Sequence, residues 1–140
     1  VVDGQGGPMV IRVASVVDGK PFPTLFWLLD PHLCLRIDRE EAGGTIAALQ
    51  REFDSSSRLR ARAERDHRAH IALRLSYLSD EEQALLEERG QWAAISERGI
   101  GGIADFSRVR CLHTWYAAHL VESNIVGELL DARWAADGQD

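Results

Sequence analysis

The sequence predicts an α+β fold, an N-terminal β-hairpin packed against a bundle of about five to six helices. Three observations predict it. Met9, Ile11 and Val13 alternate with Val10, Arg12 and Ala14 in a run rich in β-branched side chains, the pattern of a strand over residues 8–17. Turn-forming residues follow in Val17-Asp18-Gly19-Lys20-Pro21-Phe22-Pro23, and a short apolar run, Thr24 to Leu29, has the length of a returning strand. The remaining chain carries apolar residues at helical spacing between capping and breaking residues, and a hairpin alone is marginal in water, so those helices are expected to cover it.

Taken in order, Asp30 is placed to cap a helix with Pro31 at its first position, running through Leu33, Cys34 and Ile37 to Gly43-Gly44. Thr45 to Phe53 has Ile46, Leu49 and Phe53 on one side, and Asp54-Ser55-Ser56-Ser57 ends it while capping the next helix. Arg58 to Tyr77 contains no proline or glycine, and Leu59, Ala63, Ile71 and Leu75 mark its apolar face. Ser79-Asp80-Glu81-Glu82 reads as a capping box opening a helix that weakens at Gly90 and ends by Gly99. A glycine loop follows, Ser107 is placed to cap a helix to about Glu122, and Asn124 to Trp134 forms the last one. No repeat, linker or low-complexity tract interrupts the chain, so residues 1–140 are expected to form a single compact domain.

Bulk composition excludes several roles. With 16 basic against 22 acidic side chains the formal charge is −6, which disfavours nucleic acid and anionic lipid surfaces, both of which need a basic face. No apolar stretch approaches the roughly 20 residues that span a bilayer. Two cysteines are too few for a disulfide framework, and a reducing cytoplasm is the expected home. The arginines from Arg58 to Arg74 are interspersed with Glu64 and Asp66 and read as a solvated face laced with local ion pairs. Gly99-Ile100-Gly101-Gly102 lacks the spacing and the lysine of a phosphate loop and reads as a close-approach turn.

The histidines point to chemistry. His67 falls within the apolar stripe of its helix, where an imidazole needs a hydrogen-bond partner or a metal. Cys111, His113 and His119 lie within one short segment, all suitable ligands for a metal such as zinc. On a regular helix Cys111 and His113 would point about 160° apart, so they can share an ion only if Cys111 lies ahead of the regular turns. A thiol enzyme would pair Cys111 with an imidazole from another element, His67 being the best placed in pattern. Cys34 reads as a small buried hydrophobe. Trp27, Trp92, Trp115 and Trp134 are candidate anchors for a protein partner, with Trp134, near the end of the last helix, expected to be exposed.

Gly19-Lys20-Pro21-Phe22-Pro23-Thr24-Leu25-Phe26-Trp27-Leu28, Asp30-Pro31-His32-Leu33 and Val109-Arg110-Cys111-Leu112-His113 resemble the bacterial domain of unknown function 501 family. The resemblance runs from about Asp3 to Gly127 and includes Gly99 to Ile103 and Asn124 to Gly127. It implies a cytoplasmic bacterial protein but no activity. Members of that family usually place cysteine at the position of Asp3, cysteine or histidine at that of Asp30, and histidine at that of His67, besides Cys111 and His113. A histidine is frequent where this chain has Ala118, and here His119 stands one step round. The resemblance thus implies a ligand set of Asp3, Asp30, His67, Cys111 and His113, meeting where the hairpin joins the long helix and the penultimate one. Oxygen in place of sulfur at two positions favours a mononuclear zinc or iron over an iron–sulfur cluster. The competing expectation is a non-catalytic helical domain that binds a protein partner and retains these residues as a structural polar cluster.

Overall fold

The computed structural model describes residues 1–138, and the last two positions of the expected domain lie outside them. The fold is α+β, with seven α-helices following two small antiparallel sheets. Strand β1 (Val10–Arg12) pairs with β4 (Phe26–Leu28), with Ile11 opposite Trp27. Inside that hairpin β2 (Val16–Val17) pairs with β3 (Lys20–Pro21), with Val17 opposite Lys20. The expected strand over residues 8–17 is therefore two short strands. The reason lies in the turn: Asp18 and Gly19 both take positive φ, 52° and 73°, the geometry of a tight two-residue hairpin loop whose register reaches only to Val16.

Local signals set the helix ends. Helix α1 (Pro31–Ala42) starts at Asp30, whose carboxylate accepts from His32 and Leu33 N–H, with Pro31 at the first position, where its missing donor removes nothing. Helices α2 (Thr45–Ser55) and α3 (Ser57–Ser76) are separated by Ser56, whose hydroxyl accepts from Leu59 N–H. Helix α4 (Asp80–Glu88) opens on a complete capping box between Ser79 and Glu82. Ser79→Ala removes the acceptor for Glu82 N–H and is expected to lower stability by about 1 kcal/mol in urea denaturation; a change near zero would refute the cap's contribution. Gly90 ends this helix rather than weakening it. At φ 68° it lets Gln91 N–H reach Leu86 C=O, a Schellman closure, and the chain restarts as α5 (Trp92–Ser96).

A 3₁₀ turn (Ile100–Gly102) leads into an irregular stretch before α6 (Leu112–Val121) and α7 (Ile125–Ala136). Ser107 does not cap α6. Its hydroxyl and N–H both donate to Asp105, and the Gln50 side chain holds the following backbone by donating to Ser107 C=O and accepting from Val109 N–H. That side chain substitutes for a strand partner and keeps residues 107–109 out of helix.

The core gathers Leu25 and Phe26 from the hairpin, Ile37 from α1, Leu49 and Phe53 from α2, and Leu112, Trp115 and Ala117 from α6. Val126, Leu130 and Trp134 of α7 complete it. Trp134 is buried, 3 % exposed, against the expectation drawn from its terminal place. Residues of α1 cover it: its indole donates to Glu40, and the Arg36 guanidinium lies 4.3 Å from its ring centre. Trp27 is the tryptophan left open, at 47 %. Cys34 is only half-buried, its thiol 3.6 Å from Leu28 C=O, and burial raises the thiol above its usual range, with Asp38 and Asp30 adding to the effect.

Local pairs do occupy the α3 surface, Arg62 with Asp66 and Arg68 with Glu64. Arg74 is the exception. It is fully buried and donates to the carbonyls of Ile95, Arg98 and Gly99. Two turns earlier, His67 stacks on Phe106 at 4.5 Å between ring centres and meets Trp115 edge-on. Gly99 passes so close that any side chain there would collide with the His67 ring.

Candidate metal site

Helices α1 and α6 are far apart in sequence and pack against each other. At their contact, Cys111 takes the N-cap position of α6 with extended backbone, φ −72° and ψ 112°. The half-turn separation that a regular helix would impose on Cys111 and His113 therefore does not apply. Cys111 Sγ lies 4.0 Å from His113 Nδ1, and Thr114 fixes the cap by donating its hydroxyl to Cys111 C=O.

Glu41, in the last turn of α1, completes the group. One of its oxygens, Oε2, accepts from Leu112 N–H at 2.9 Å, so a carboxylate from another helix satisfies the first amide of α6. The other, Oε1, is 3.3 Å from His113 Nδ1. One donor atom from each of Glu41, Cys111 and His113 lies within 4.8 Å of the others. On its far side, His113 Nε2 is 2.8 Å from Asp38 Oδ1. A carboxylate there can only accept, so Nε2 donates to Asp38, which leaves Nδ1 as the ring nitrogen on the side of Glu41 and Cys111. Carboxylate–imidazole pairs of this kind orient histidine ligands in metal sites.

Of the five residues that the family resemblance implies as ligands, the structure brings Cys111 and His113 together. The other three stand elsewhere among local partners. Asp3 Oδ1 accepts from Gln5 and Gly7 N–H, both at 2.8 Å, closing its own loop. Asp30 is spent on the α1 cap. His67 Nδ1 accepts from Ile100 N–H at 2.9 Å, while its buried Nε2 has no hydrogen-bond partner among the described residues. Its charged form is disfavoured: burial, then Arg74, push the ring down to about 4. His119 lies against Asp131 at 2.8 Å and accepts from Asn124 N–H through Nδ1.

Glu41 and Asp38 were not among the residues expected from sequence. The available signal was Asp38-x-x-Glu41, two carboxylates on one face of a helix already expected there. Nothing local says that this face meets Cys111.

The hairpin, the helices and this three-donor corner define an α+β protein with a candidate metal-binding group where α1 meets α6. The chain belongs to the family described as protein of unknown function (DUF501), whose model matches residues 2–132. No curated protein and no solved structure matches the chain. No helix among the described residues is long and apolar enough to cross a membrane.

Proposed function

We propose that the chain binds a single divalent metal ion, zinc fitting best, through His113 Nδ1, Cys111 Sγ and a Glu41 oxygen, with Asp38 orienting the histidine. One observation carries this reading: three ligand types that zinc accepts each offer an atom within 4.8 Å of the others. Two ligands at zinc–nitrogen and zinc–oxygen distances of about 2.0–2.1 Å subtend a tetrahedral edge of about 3.3 Å, and Nδ1 and Oε1 are 3.3 Å apart. The nitrogen–sulfur edge is about 3.6 Å. Cys111 Sγ, at 4.0 Å from Nδ1, stands a few tenths of an ångström beyond that edge, and Cys111 is exposed at the helix start. Mixed nitrogen, sulfur and oxygen donors favour zinc, with iron second. Three protein ligands match sites that keep a fourth position for water or another ligand.

Metal analysis of the chain purified without chelator, followed by zinc titration, tests the proposal. About one equivalent of bound metal is expected. Cys111→Ser and Glu41→Gln should each weaken uptake more than tenfold, and Asp38→Asn, which disturbs only the orientation of His113, by roughly 10–100-fold. Less than about 0.1 equivalent after purification, with no tight uptake on titration, would overturn the reading.

A further inference from the structure

A recess of about 220 Å³ adjoins this corner, lined by Phe26, Trp27, Leu28, Leu29, His113 and Thr114. Its wall is the β4 strand and the residue after it, and its polar edge is the first turn of α6. Trp27 and Leu29 are exposed there, so an occupant would remove large apolar side chains from water. An apolar cavity of about 150 Å³ accepts benzene, so this recess suits a substituent of phenyl size or slightly larger. His113 belongs to both places: it lines the recess, and its Nδ1 faces Glu41 and Cys111. The first-turn residues His113 and Thr114 sit after an N-cap that supplies no side-chain acceptor, so their amides suit an incoming carbonyl oxygen.

Charge narrows the ligand further. A divalent ion bound by one thiolate, one carboxylate and a neutral imidazole carries no net charge, and Asp38 beside it adds a negative one. Such a site repels a polyanion such as phosphate and tolerates an uncharged oxygen ligand.

We infer that the recess receives the apolar substituent of an uncharged carbonyl compound, an ester or amide, whose oxygen takes the fourth position on the ion. This rests on the metal reading above. Cobalt(II) in place of zinc gives a visible spectrum sensitive to its ligands, and two probes share one uncharged carbonyl head while differing in the substituent: acetamide and benzamide. Titrating both into the cobalt-loaded full chain should show benzamide binding at least about fivefold more tightly, as burial of a phenyl ring on a half-open apolar wall requires. Trp27→Ala should abolish most of that preference while leaving acetamide binding unchanged. A cobalt spectrum that responds to Cys111→Ser but a preference under about fivefold in the unmodified chain would overturn this inference alone. Tighter binding of inorganic phosphate than of either probe would do the same. Failure of the chain to take up cobalt at all would overturn the metal reading and this inference with it.

Discussion

Replacing Arg74 by leucine is expected to lower the stability of the fold by about 3–5 kcal/mol. The guanidinium is fully buried and reaches Ile95 C=O at 2.8 Å, Gly99 C=O at 3.0 Å and Arg98 C=O. These carbonyls belong to the end of α5 and the bend after it, and Gly99 C=O also accepts from Gly102 N–H at 3.0 Å. Among the described residues no carboxylate forms a salt bridge with Arg74, so the carbonyl dipoles themselves hold the charge, and burial brings its pKa down to about 10. Leucine would spare the desolvation of a cation but leave the Ile95 and Arg98 carbonyls unpaired, and unpaired buried acceptors dominate the balance. Urea denaturation of the wild type and of Arg74→Leu measures the difference. Arg74→Lys should recover only part of the loss, because an ammonium cannot span three carbonyls with the same fork. A leucine variant within about 1 kcal/mol of wild type would show that the bend holds itself.

The second large effect is acid sensitivity set by His67 and His70. Both are buried, and burial pushes their pKa values down to about 4 and about 3, with Arg74 adding to the shift in each. In the unfolded chain each titrates near 6.5. Below that pH the unfolded state takes up protons that the folded state refuses, so stability falls as pH drops from about 6.5 and continues to fall until the folded values are reached. Between pH 7 and pH 5 the two residues together should remove about 3–4 kcal/mol. His70→Leu should eliminate roughly half of that dependence, because leucine can occupy the place beside the Phe26 ring without a proton to bind. Denaturation curves for both proteins at the two pH values give the comparison. Parallel losses in wild type and variant would mean that the acid response comes from other groups.

Short-range chemistry made much of the architecture readable from sequence. Asp30 before Pro31, the Ser79–Glu82 box and Ser56 before Leu59 each act within one helical turn, and each appears where the residue order places it. The same short-range bonding explains why Asp3 and Asp30 are engaged locally: amides two to four residues away are always closer than a distant ion. Half of the corner was legible as well, since Cys111 and His113 are two residues apart and Cys111 occupies a cap. Glu41 and Asp38 were not, because their relation to that pair exists only once α1 lies against α6. Trp134 was misread for a similar reason: the residues that bury it, Arg36 and Glu40, belong to the same distant helix.

In the protein as it stands, Glu41 already holds the Leu112 amide and Asp38 already holds the His113 ring. Two helices are thereby joined by the chain's own hydrogen bonds, unlike finger-type domains that collapse when stripped of their ion. On the proposed reading, removing the ion would leave this junction standing, so the shape of the chain would not depend on its cargo.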